Sequence, residues 1–227
     1  MGERLQRPAM DWAPWELFDA ATFSTYLAAA AALVAAPGPG QALVMARTLQ
    51  GGARAGLLTS VGLNLGTVVH TAAAALGLSA LLLASATAFT VVKLVGAVYL
   101  LVLGIRMIAG TLGGRRVTAP DRLAPESSGL PSSRLLAHGV ITGVLNPKVA
   151  VFFLAFLPQF VHPERGGVFV QFAVLGLVLA TLGVIGDSIV ALVAARTGRG
   201  MAAGAWRERV TGGVLVALGV RLALVHR

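Results

Sequence analysis

The stretch Gly139-Val-Ile-Thr-Gly-Val-Leu-Asn146-Pro147-Lys148-Val-Ala-Val-Phe-Phe-Leu-Ala-Phe-Leu-Pro158 has the length and apolarity of a membrane span, yet Asn, Pro and Lys stand consecutively near its centre. About 20 helical residues cross a hydrocarbon core about 30 Å thick. Proline removes a backbone donor and clashes with the preceding turn, so the helix should kink or unwind there. Freed backbone groups are tolerated at membrane depth only where protein or a water-filled cavity satisfies them. A lysine at that depth needs a partner or water. The bland alternative is a kinked span whose lysine snorkels to an interface. Pro37-Gly38-Pro39-Gly40 makes a similar break in the other half of the chain, and paired breaks favour a functional reading.

Composition agrees with a membrane protein. Hydrophobic residues are 56% of the 227 and charged residues 12%, against about 45–50% and about 25% in soluble domains. The net charge of +9 is of the kind that nucleic acid attracts. The arginines stand at the ends of apolar runs, however, which indicates membrane topology, and no nucleic-acid partner is expected. Cysteine is absent, which excludes disulfides and thiolate metal sites; no cofactor or metal is expected. The first apolar run follows an acidic, Trp-containing segment, unlike a cleavable signal.

The expected fold is an all-α membrane protein of six transmembrane helices, arranged as two inverted three-helix repeats. Residues 1–17, with Trp12 and Trp15, read as a polar, interfacial segment. The first repeat covers 18–109, a flexible loop covers 110–133, and the second repeat covers 134–227. Span one, about Phe18 to Leu49, is interrupted at Pro37–Gly40, with Tyr26 and Arg47 as anchors near opposite interfaces. In the alternative reading span one stops at Ala36 and the Pro-Gly-Pro-Gly motif is a loop.

The turn Gln50–Arg54 leads into span two, about Ala55 to Ala84, which carries Gly62, Asn64, Gly66 and His70. Small residues four apart permit close helix approach, either within one chain or in a homodimer. Asn64 lies near the midplane, and His70, further outward, is either a hydrogen-bonded core residue or a proton carrier. Span three, about Ala88 to Ala109, contains Lys93 near enough to its start to snorkel. Span four is the broken stretch. Span five, about Val168 to Ala195, places Asp187 near the membrane centre, where an acid serves either as a structural partner or in function. Span six, about Val210 to Leu224, follows an Arg-rich link containing Trp206.

With six spans, the links after spans one, three and five carry eleven arginines and the opposite side five. That asymmetry puts both termini outside the bacterial cytoplasmic membrane. The breaks at Pro37 and Pro147 each fall in the first span of a three-span unit. Three is odd, so the second unit is inserted upside down. Inverted repeats whose broken helices meet at mid-membrane bind substrate at the breaks, where half-helix ends suit the carboxylate and ammonium of a small zwitterion.

Pro37-Gly-Pro39, with Leu43-Val44, Ala46-Arg47 and Arg54-Ala-Gly56, resembles the first-span motif of the LysE/RhtB superfamily of amino-acid exporters. Gly62…Gly66…His70…Leu76-Gly77-Leu78 and Lys93-Leu-Val-Gly96…Tyr99-Leu…Gly104-Ile-Arg106 are similar to its second and third spans. Gly139…Leu145-Asn146-Pro147-Lys148…Phe152-Phe153…Phe156-Leu157-Pro158-Gln159-Phe160 is similar to its second hallmark, and Asp187 stands where many members carry an acid. Gly40 departs from the pattern: many members have Asn or Asp there, and glycine offers a ligand no side chain. The resemblance implies efflux of an amino acid or related metabolite in exchange for protons.

The candidate substrate-binding residues are therefore Pro37, Gly38, Pro39, Gly40, Asn64, Asn146, Pro147 and Lys148. Asp187 and His70 are the candidate proton-coupling residues, with Lys148 the expected partner of Asp187 when substrate is absent. The expected partners are a small-molecule substrate, protons and the lipid bilayer. A metal-ion exporter would want several carboxylate, His or Cys ligands within the membrane. An intramembrane enzyme would need a nucleophile–base pair or a metal motif. Neither pattern is present in the sequence, and a non-transporting scaffold would not need two broken spans.

Overall fold

The computed structural model describes residues 17–78 and 129–197 continuously, with isolated positions between 80 and 109 and between 213 and 220. Among the described residues every regular element is helical. Most of spans three and six, Lys93, Gly96, Tyr99, Gly104, Trp12, Trp15, Trp206 and most of the 110–133 loop lie outside the described residues.

Helix α1 (Ala20–Ala35) starts at Asp19, whose carboxylate accepts from the Thr22 backbone N–H at 2.7 Å. Arg165 adds an ion pair to the same carboxylate at 3.2 Å. Helix α1 ends just before Pro37, which lacks the N–H that the next turn requires. Helix α2 (Pro39–Ala73) opens with proline in its first turn, where no N–H is needed. It continues as a π-helical turn, Ala74–Leu78. The turn expected at Gln50–Arg54 is present: Gly51 (φ −129°, ψ 15°) and Gly52 (φ 74°, ψ −177°) leave helical geometry and divide α2 into two arms. The arms fold back on each other, so that a Cβ on Gly40 would meet Leu63 and one on Gly56 would meet Thr48. Only glycine enters the Gly52 conformation without strain.

Helix α3 (Ser132–Val144) and the short α4 (Pro147–Val151) flank Leu145-Asn146. A π turn (Phe152–Phe156) and a 3₁₀ turn (Leu157–Phe160) extend α4, and the assembly bends by 44° at the break. Helix α5 (Val168–Thr197) is unbroken over 30 residues. By length and composition, Val168–Thr197 is sufficient to cross a membrane, as is Pro39–Leu78 when counted across its Gly51–Gly52 turn. The bent pair makes a third candidate, and α1 is a shorter apolar helix.

Helix α2 lies along both α3 and α5, and its crossing with α3 is built from glycine on both sides. A Cβ on Gly66 would sit 2.7 Å from the backbone of Gly143, and one on Gly139 would sit 2.8 Å from the Leu63 amide nitrogen. Cβ atoms on Gly62 and Gly143 would strike the Leu136 and Leu63 carbonyls. The Gly62/Gly66 pair is thus filled by α3 of the same chain.

Both expected interface anchors face protein. Tyr26 is fully buried: its hydroxyl donates to the Leu175 carbonyl at 2.5 Å, and its ring meets Phe160 edge-on. Six residues into α1, it faces α5 and the Phe152–Phe160 cluster. Arg47 is also buried, donating to Gln50 Oε1 and His138 Nδ1, each at 3.1 Å.

Replacing Gly143 by Val should lower stability by about 1–3 kcal/mol or prevent folding, because backbone faces the new side chain and cannot give way. Thermal unfolding of the purified protein in detergent measures this, and an unchanged midpoint would refute the close crossing.

Candidate functional site

The site begins with the carbonyls at the end of α1. In a continuous helix the N–H of residue 37 would bond to the Leu33 carbonyl, and proline has none. Lys148, from the other half of the chain, donates its Nζ to Leu33 O at 3.0 Å and to Ala36 O at 2.9 Å. Gln41, in the first turn of α2, donates Nε2 to Val34 O at 2.6 Å. The expected Lys148–Asp187 pair makes no direct contact: among the described residues the lysine bonds to these carbonyls and Asp187 forms no salt bridge, while the two charges attract each other across the cavity they both line. The carbonyls left open by Pro37 lie within reach of the ammonium and claim it.

The second break follows the same logic with a different cap. Pro147 leaves Gly143 O open, and the Asn146 N–H fills it at 3.2 Å. Asn146 Oδ1 accepts from the Lys148 N–H at 3.1 Å, closing the amino end of α4. Gly38, the corresponding cap of α2, provides no side chain. The N–H groups of Gly40 and Gln41 thus have no hydrogen-bond partner among the described residues.

On α5, Asp187 Oδ2 accepts from Asn64 Nδ2 at 3.1 Å, and the same nitrogen reaches Ser60 O at 2.9 Å. Asp187 and Asn64 are 5% and 6% exposed, too buried for water alone to satisfy the acid. Gly183, one turn before Asp187, leaves space for the amide: a Cβ there would overlap Asn64 Oδ1.

Gly40, Asn64, Asn146, Lys148 and Asp187 line one cavity, together with Gln41, Thr67 and Gly183. Its volume is about 50 Å³, room for about three to five waters at 10–15 Å³ each. Leu33, Val34, Leu63, Val149 and Leu179 supply the apolar wall. Gly38 stands beside it, its Cβ position 3.5 Å from Lys148 Nζ.

The structure thus gathers five of the ten expected residues in this lining. Pro37, Pro39 and Pro147 shape the breaks without lining the cavity, and His70 stands apart. Its Nε2 meets Val144 O at 3.1 Å and its ring stacks on Phe153, as a core histidine would. Sequence reasoning missed Gln41, Thr67 and Gly183. Each had a signal in spacing: Gln41 in the first turn after the break, Thr67 three after Asn64, and Gly183 four before Asp187. A side chain at position 40 would meet Leu63 at 2.7 Å, so Leu63 occupies the space that Asn or Asp would need.

The family model for LysE type translocators matches residues 31–226. An uncharacterized membrane protein of Vibrio cholerae is 35% identical over 77% of this chain and 81% of its own. A leucine efflux protein of Klebsiella pneumoniae is 28% identical, covering 73% and 75%. A leucine efflux protein of Salmonella typhimurium is 29% identical, covering 68% and 70%. No solved structure matches.

Lys148→Met would leave the Ala36 carbonyl without its donor and Leu33 O with the Ala36 N–H alone, at 3.2 Å, and stability should fall by about 1–3 kcal/mol. Lys148→Arg, which keeps donors in reach, should recover part of it. Thermal unfolding of both variants in detergent checks this, and equal midpoints for Met and wild type would sink the capping role.

Proposed function

The chain belongs to the LysE type translocator family, and from that premise we propose that it exports an amino acid from the bacterial cytoplasm in exchange for protons. The observation that carries this reading is one cavity holding an acid, a base and an open helix amino end. The unengaged N–H groups of Gly40 and Gln41 and the third hydrogen of Lys148 Nζ suit the substrate carboxylate. Asp187 Oδ1, without a hydrogen bond among the described residues, suits its ammonium. The amide of Asn64 orients the acid, and the Asn146 Nδ2 group supplies a further donor at the wall. The apolar lining and the named leucine efflux relatives make leucine the first compound to test.

Coupling then follows from exclusion. The Asp187 carboxylate holds either the substrate ammonium or a proton. Loading on the cytoplasmic side requires the ionised acid, and a proton taken from outside displaces the ammonium. The proton returns inward as the emptied site reopens to the cytoplasm, and no covalent chemistry is involved. The cavity in this conformation is smaller than an amino acid, so loading requires the broken helices to part.

The frame for this cycle is six spans in two inverted repeats, 18–109 and 134–227, joined by residues 110–133. It is supported by the paired interruptions at Ala36–Gly38 and Leu145-Asn146, each followed by a helix with proline in its first turn. The arginine asymmetry supports termini outside the cytoplasmic membrane.

Inverted membrane vesicles expose the cytoplasmic face, so export is read as uptake. Labelled leucine, followed by a panel of other amino acids, should accumulate when the lumen is acidic and stop when the gradient is collapsed. Asp187→Asn should reduce gradient-driven uptake about tenfold or more, the effect of losing one hydrogen-bonded charge contact. Normal proton-driven uptake by Asp187→Asn removes the acid from the cycle. Accumulation of none of the panel by folded protein rejects amino-acid export.

A further inference from the structure

A second cavity, about 160 Å³, lies at the end of the bundle remote from the Asp19–Arg165 pair and shares no lining residue with the first. Arg47, Gln50 and Arg54 reach it from the two arms of α2, brought to one side by the Gly51–Gly52 turn. The opposite wall is the start of α3, including Ser132 and Leu135. Among the described residues no carboxylate lines it and neither arginine has an ion pair.

Arg47 is 5% exposed, and two of its three nitrogens are engaged by Gln50 and His138. The third, Nε, is buried without a hydrogen-bond partner. A buried guanidinium with no counter-charge is costly, and a bound anion removes the cost. The start of α3 presents the same demand. Pro131 offers no side-chain cap, and the first helical bonds are made by Arg134 and Leu135, which leaves the Ser132 and Ser133 N–H groups free of intrahelical bonds. Unpaired amides at a helix amino end favour anions.

We propose that this cavity between Arg47, Arg54 and the amino end of α3 binds a phosphate group. Guanidinium forks match phosphate oxygens in a two-donor geometry. Arg54, exposed at the rim, supplies the second charge, and Arg47, fixed by Gln50 and His138, supplies the first. The phosphate comes either from a soluble phosphate ester or from an anionic lipid headgroup, since the cavity adjoins helices long enough to span a bilayer. This inference is independent of what the first cavity transports.

The test uses the full chain, purified in neutral detergent. Labelled inorganic phosphate should bind saturably, and Arg54→Gln should weaken that binding about tenfold or more, as expected for losing one charge-assisted contact. Arg54→Lys should restore part of it, which separates loss of charge from loss of fold. Displacement of label by phosphatidylglycerol but not phosphatidylcholine identifies the headgroup as the source. Phosphate binding that phosphatidylglycerol leaves intact identifies a soluble ester. Equal binding by wild type and folded Arg54→Gln overturns the site. So does the lack of saturable phosphate binding together with no preference for phosphatidylglycerol.

Discussion

A helix interrupted inside an apolar bundle leaves carbonyl groups that no solvent reaches, and the Pro37 break makes this demand at Leu33, Val34 and Ala36. In water such groups cost little; in a lipid-facing bundle each must find a donor. The chain answers with Gln41 from the near side of the break and Lys148 from the far half of the sequence. The lysine is thereby a tie between halves as well as a charge. It holds the end of α1 against the start of α4, and the cavity lies where the two meet. Moving either break along the sequence would separate donor from acceptors.

The α2–α3 crossing sets how near those breaks can come. Gly62 and Gly66 face Gly139 and Gly143 at backbone contact, so no side chain spaces the helices apart. Gly143 also gives its carbonyl to the Asn146 N–H, so one residue serves both the crossing and the second break. On the other flank Gly183 makes room for Asn64, which in turn holds Asp187. Small residues on α2, α3 and α5 thus position the cavity from two sides.

These relations were partly legible in the sequence. Proline inside an apolar run announces a break whatever surrounds it, because the missing N–H is a local fact. Asn64, Lys148 and Asp187 stood out because polar groups at such depth are rare. What stayed hidden was pairing. Nothing local says that Lys148 reaches two carbonyls at the end of α1 instead of the carboxylate of Asp187. The burial of Tyr26 and Arg47 stayed hidden for a related reason: distance along a helix gives depth, while the direction of a side chain around the helix depends on its neighbours. The turn at Gly51–Gly52 was legible because only glycine enters the Gly52 conformation without strain.

The two breaks resemble each other in sequence yet differ in chemistry, and the difference bears on how substrate would sit. At the second break Asn146 folds its own side chain over the amino end of α4, using the Lys148 N–H. At the first, Gly38 leaves the amino end of α2 open, and Gly40 keeps it bare of a side chain. Among the described residues an incoming carboxylate finds two adjacent unpaired N–H groups, Gly40 and Gln41, at the α2 end against Val149 alone at the α4 end, beside an ammonium that still has one hydrogen to give. The acid stands across the cavity on α5. In the proposed cycle the substrate would therefore lie with its carboxylate toward α2 and its ammonium toward α5. The asymmetry between Gly38 and Asn146 would choose that orientation.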